Sequence, residues 1–299
     1  MLFNKHGNGS LELYELTGTI QAGIPFDSLK AEVESASEEV RSIVGAAVFE
    51  AAQEAYDADE RHDFVNAVRL PVACLAIYQY SRLSGVSHGD TGRKIKTDEG
   101  EKIPFEWMLD RDDREMRDRY YRALDRLLLY LESNEIPQWN GQRRVAGCIV
   151  KSLDAFEAVY PLEHSHYMFA RLVPLMEEVQ PKLGNIIGLA RLADLVAGRE
   201  TDIAPIARRY VILRALRLAV ERWSLDAFPL AIARRFSPSY QGNRESRAAT
   251  TDEIDWYLGK LDGQVKETAI ELQSAVNGNP YDGARLLPEN NPHNKYFTV

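Results

Sequence analysis

The stretch that most constrains this chain is Phe64–Leu83, FVNAVRLPVACLAIYQYSRL. It predicts a helix from about Asp63 to Leu83 that is apolar on most sides. Such a helix is stable only when other elements enclose it. No uninterrupted apolar run approaches the roughly 18 residues that suggest a membrane span, so the enclosing elements are other parts of a folded protein. Pro71 is expected to kink this helix or break it near its start.

The flanking sequence supplies the enclosing elements. Asp27 and Ser28 can cap a helix carrying Leu29, Val33, Ala36, Val40, Ile43 and Val44 at three- and four-residue spacing. A second helix is expected at about 46–56. A long charged helix starts near Asp110, with an apolar stripe of Met116, Tyr120, Ala123, Leu124, Leu127 and Leu131. Between them, 84–107 alternates turn signals (His88-Gly89-Asp90, Thr91-Gly92, Asp98-Glu99-Gly100) with Lys94-Ile95-Lys96, which reads as an inserted β-hairpin. Residues 1–24, with Gly7, Gly9, Gly18 and Gly23, read as an extended arm or small hairpin.

Past a connector at 134–144, helices are expected at 145–159, 166–183, 185–195, 202–223 and 252–275. A polar loop spans 237–251, and an extended tail begins at 277. Residues 29–45 align without gaps over 172–188. Leu29 falls on Leu172, Ile43 on Ile186 and Gly45 on Gly188. Each glycine suits a left-handed helix cap. The expected architecture is therefore all-α. Two similar helical bundles, from an internal duplication, carry an inserted β-hairpin and extended N- and C-terminal arms. The segments are an arm (1–24), a first bundle (25–133, hairpin 84–107), a second bundle (134–276) and a tail (277–299).

Chemistry is harder to find. Cys74 and Cys148 sit in apolar runs and read as small buried hydrophobes. Glu163-His164-Ser165-His166 is the most metal-like segment, but no second ligand cluster accompanies it, and Ser165 there suits a helix cap. Asp110, Asp112, Asp113 and Glu115 lie where a helix N-terminus favours carboxylates. Phosphate-loop, nucleophile-elbow, zinc-protease and dinucleotide motifs are absent. The expectation is no enzyme, no metal and no cofactor. An enzymatic reading would need Glu-x-x-His on paired helices, and only Glu163-x-x-His166 approaches it. The net charge of -9 argues against nonspecific nucleic-acid wrapping and against a polybasic membrane anchor. Arg208, Arg209, Arg214, Arg217 and Arg222 crowd one helix. They read either as a basic surface or as intrachain pairs such as Arg217 with Glu221.

From Trp139 to Gly188 the sequence resembles the central block of an uncharacterised structural family of Bacteroidetes phages and prophages. The matching positions are Trp139, Phe156, Ser165, Phe169, Pro174, Glu178 and Gly188, with Asn290-Asn291 and Lys295-Tyr296-Phe297 in the tail. Gly141 and Gln142 stand where that pattern carries a Ser. The resemblance implies a virion protein made in the bacterial cytoplasm, a head–tail connector or adaptor-ring subunit in the neck. Its partners would be further copies in a ring, the portal, and tail or neck proteins, with DNA passing through without sequence-specific binding and no membrane contact. Another tail or contractile-injection component is the nearest alternative. The interface candidates are Lys94, Lys96, Arg208, Arg209, Tyr281, Tyr296 and Phe297.

Overall fold

The computed structural model describes residues 1–19, 23–84, 86–89, 92–95, 105–199, 201–223 and 250–278. In chain order these form α1 (Gly9–Thr17), a 3-10 turn (Phe26–Ser28), α2 (Lys30–Val44), α3 (Ala46–Ala58), α4 (His62–Ser84), β1 (Val86–Gly89), β2 (Gly92–Ile95) and α5 (Glu106–Ser133). Then follow α6 (Gly141–Arg144), α7 (Leu153–Glu157), α8 (His166–Ile187), α9 (Leu189–Val196), α10 (Ala204–Arg222) and α11 (Thr251–Val276). The fold is helical. Strands β1 and β2 pair antiparallel, with Val86 opposite Ile95 and Gly89 opposite Gly92. The chain divides into two compact units. The first holds the described residues of Met1–Arg144 and Leu162–Ala170. The second holds those of Val145–Pro161, Arg171–Leu225 and Ala249–Val299.

In the first unit α1, α2, α3 and α5 all pack on α4. Phe64, Val68, Val72, Cys74, Leu75 and Ile77 are buried around its circumference, as its all-round apolar sequence requires. Pro71 does not break α4, which runs through it. The proline costs one backbone hydrogen bond, and enclosure by the neighbouring helices holds the element together. On α5, Tyr120, Ala123, Leu124, Leu127 and Leu131 are buried as their spacing predicts. The Tyr120 hydroxyl donates to Glu39 Oε1 at 2.8 Å.

The N-terminal segment differs from the extended arm expected for it. It forms α1 and sends Leu2, Phe3 and Leu13 into the core. A polar clasp holds it there. Glu12 pairs with Arg69 of α4, both side chains being close to nine-tenths buried. The Tyr56 hydroxyl donates to Glu12 Oε2 at 2.9 Å, and the Asn4 N–H donates to Glu12 Oε1 at 3.2 Å. The Arg69 guanidinium lies 4.6 Å from the Phe3 ring centre and 5.0 Å from that of Tyr56. Burial raises the Tyr56 phenol to about 12 and lowers Arg69 from its ordinary value. Two of the glycines that suggested turns belong to the helix instead, whereas Gly7 and Gly23 lie in turns outside it. Gly18 is its left-handed cap, and Gly9 lets the Phe26 ring close over its first turn.

In the second unit α10 packs along α11. The helix expected over 145–159 shrinks to α7. Ahead of it, Cys148, Ile149 and Val150 are buried without helical hydrogen bonding. Gln180 of α8 takes over that role. It accepts from the Ile149 N–H at 2.5 Å and donates to the Gly147 carbonyl at 2.8 Å. Helix α11 starts at a capping box in which the Glu253 N–H donates to Thr250 Oγ1 and the Thr250 N–H donates to Glu253 Oε2. Gly259 and Gly263 sit inside α11 at a cost of about 1 kcal/mol each relative to alanine. A Cβ at either would meet nothing within 4 Å.

Gly45 links α2 to α3 at φ 92°, ψ 150°, and Gly188 links α8 to α9 at φ 88°, ψ 149°. Neither is the left-handed cap expected. Both occupy a region that glycine alone reaches readily. The expected loop, up to 249, and the tail from 279 lie outside the described residues.

The clasp gives the first prediction. Glu12→Ala strands a buried guanidinium and should destabilise the protein by about 3–5 kcal/mol. The apolar pair Glu12→Leu/Arg69→Met should recover most of that loss. Denaturant unfolding of the three proteins checks it.

Candidate functional site

The unusual surface of the first unit is the end where α4 hands over to the β-ladder and the chain returns in α5. The Ser81 hydroxyl lies 3.4 Å from Met116 Sδ, and Arg82 Nε lies 3.5 Å from Asp113 Oδ2. The last turn of α4 therefore sits beside the stretch of α5 from Asp113 to Met116. Helix α4 stops at Ser84, whereas α5 runs on towards its N-terminus past Leu109 to Glu106, with Phe105 as its extended N-cap. These positions lie past the end of α4. Phe105 is 67% exposed, Leu109 51% and Met108 42%, with Leu83 of α4 58% exposed at the same end. Large apolar groups gathered this way mark contact surfaces, whereas single ones are ordinary.

Sequence reasoning missed these four residues. The signal was Leu109 one heptad before Met116 on α5, with Phe105 just ahead of the helix, combined with the greater length of α5 relative to α4. Of the interface candidates it did name, Lys94 lies in β2 opposite Ser87. Lys96, Tyr281, Tyr296 and Phe297 lie outside the described residues.

The arginines of α10 are largely committed within the second unit. Arg209 pairs with Glu271. Arg217 pairs with Asp262 at 2.5 Å and with Glu221 at 2.8 Å. Arg222 pairs with Glu178 at 2.5 Å. These hydrogen bonds hold Arg217 and Arg222 above the ordinary arginine range and Glu178 below the ordinary carboxylate range. Arg214 reaches the ring of its own neighbour Tyr210, and Arg208 also interacts. The pairing alternative accounts for most of this cluster, and the basic surface shrinks accordingly.

The metal-like segment is a docking turn. Glu163 and His164 take positive φ values of 57° and 61° and turn the chain into α8. Ser165 caps the helix by accepting from the Met168 N–H at 3.1 Å. Its hydroxyl donates to Asp125 Oδ1 of α5 at 3.0 Å, and the Tyr167 N–H donates to the same oxygen at 2.9 Å. His166 Nδ1 lies 2.8 Å from Glu132 Oε2. Among the described residues no group of three His, Cys, Asp or Glu side chains is placed to hold a metal. Asp113 of the acidic run faces Arg82. Both cysteines are buried, which pushes their thiols up, Cys148 to about 11. An open groove of about 750 Å³ between α2 and α3 is lined by Glu34, Glu38, Arg41, Phe49, Glu50 and Gln53. Arg41 already bonds Glu50 across it at 2.8 Å. No helix among the described residues is long and apolar enough to cross a membrane.

Asp125 supplies a pH prediction. Burial raises its carboxyl above the ordinary range, against the lowering effect of the Tyr167 and Ser165 hydrogen bonds. A carboxyl whose pKa is higher in the folded state contributes stability below its unfolded pKa and loses it as pH rises through the folded value. Asp125→Asn can still accept both hydrogen bonds and carries no charge. The variant should therefore lose less stability than the unsubstituted protein as pH rises from about 4 to 7. Thermal melts across that range check the difference.

A family of unknown function, DUF6712, matches residues 49–148, which run from α3 through α4, the β-ladder and α5 to Cys148. No curated protein and no solved structure matches the chain. The matched third of the sequence contains all four residues of the uncovered apolar end.

Proposed function

We propose that this protein is a structural subunit of a phage virion, a head–tail connector or adaptor ring in the neck between portal and tail. The observation that carries the reading is the uncovered end of α4 and α5, where Leu83, Phe105, Met108 and Leu109 stand exposed beside a two-stranded ladder. Burying each such side chain is worth about 1.5–3 kcal/mol, so covering this end would contribute substantially to assembly. A closed ring needs one contact repeated head to tail, with a rigid body behind it. The tightly enclosed α4 supplies that body. In this reading the ladder and the apolar end meet the next copy, while the tail, with Tyr281, Tyr296 and Phe297, reaches a neighbour.

The charge pattern fits a passage for DNA without binding to it. The chain carries -9 net, and three of the α10 arginines, Arg209, Arg217 and Arg222, face carboxylates within their own unit. The role assigned is structural, with no reaction and no cofactor. The resemblance of Trp139–Gly188 to a phage structural block points the same way. The expected duplication of the bundle belongs to this proposal too. Its support is the near-identical backbone at Gly45 and Gly188, each joining two helices at aligned positions.

Negative-stain microscopy of the purified chain, with mass spectrometry of virions, tests the assignment. Closed rings and a virion-associated protein are expected. In the double variant Leu83→Glu/Leu109→Glu the rings should be lost while circular dichroism and the melting midpoint are retained. A chain that forms no rings and is absent from virions would overturn the reading.

A further inference from the structure

We infer that the outer face of α11 binds α11 of a second copy, antiparallel, about a two-fold axis passing at Gly263. The inference rests on α11 alone and is independent of the ring reading. Trp256, Gly263 and Ile270 recur at intervals of seven, two helical turns apart, and so share one face. That face points away from the unit's own core, which takes Leu261, Val265, Thr268 and Leu272. Trp256 is 60% exposed and Ile270 47%. Between them Gly263 leaves the helix surface bare, with nothing within 4 Å of where a Cβ would stand. Packing among the described residues therefore gives no reason for a glycine there.

The pattern is its own complement, which argues for a second copy rather than an unrelated partner. In an antiparallel pair centred on Gly263, Trp256 of one helix meets Ile270 of the other on both sides of the crossing. The two glycines let the backbones approach closely at the centre. Lys260, which lies 5.8 Å from the Trp256 ring centre in its own chain, comes opposite Glu267 of the second copy. Lys260 and Glu267 are both exposed, so the pairing is open to them. An isologous contact requires this kind of self-complementary patch.

The test uses the full chain. Cys74 and Cys148 are buried, so a cysteine introduced on this face is distinguishable from them under mild oxidation. Gly263→Cys is expected to give a disulfide-linked dimer, because an on-axis residue meets its own copy. Glu54→Cys, on the exposed face of α3, serves as the control and should not cross-link. Gly263→Leu, which raises helix propensity, should keep or raise the melting midpoint and weaken self-association in sedimentation by about tenfold or more. Equal cross-linking of the two cysteine variants, or unchanged sedimentation of Gly263→Leu, would overturn the inference. Rings that persist in Gly263→Leu but vanish in Leu83→Glu/Leu109→Glu would separate this contact from the one proposed for the neck.

Discussion

Everything in the first unit follows from the need to enclose α4. A helix with apolar groups around its whole circumference is unstable in water, and the chain answers by packing four other helices on it. Two consequences follow. Pro71 is tolerated in mid-helix because the surroundings, not the local hydrogen-bond ladder, hold α4 in shape. The N-terminal segment is recruited as one of these walls, since α1 packs on α4 and Leu2 and Phe3 join the same core.

Single polar side chains secure the segments that cannot secure themselves. Glu12 draws together the Asn4 N–H, the Tyr56 hydroxyl and Arg69. Asp125 receives the start of α8. Gln180 supplies hydrogen bonds to the buried backbone at Gly147 and Ile149, which has no helix of its own. Each arrangement satisfies buried donors and acceptors that would otherwise cost about 1–3 kcal/mol apiece. The residues that looked most chemical in the sequence, the Glu163–His166 segment and the α10 arginines, are largely spent on docking and pairing of this kind.

Two apolar surfaces stand out among the described residues. One lies where α5 outruns α4, and the other lies on the outer face of α11. In both, a helix carries exposed apolar residues beyond those that the described elements of its unit bury. The first of these surfaces is the observation on which the proposed role in an assembly rests.

The periodicity of the sequence alone determined the helical class, the burial of α4, the stripe of α5 and the approximate bounds of α2, α3, α10 and α11, because each depends on apolar spacing within one segment. Ser165 as a helix cap was legible too, because an N-cap depends on the residue type at one position. Only the tertiary structure decided the docking of the N-terminal helix, the loss of the helix ahead of α7 and the end of α5 that stays uncovered. Those outcomes depend on partners far away in the chain. Glu12 is 57 residues from Arg69, Gln180 is 31 from Ile149, and the exposure of Leu109 depends on where α4 stops. Local spacing carries no record of such distant partners, so the glycines around α1 and the run from Val145 were open to either fate until the packing chose.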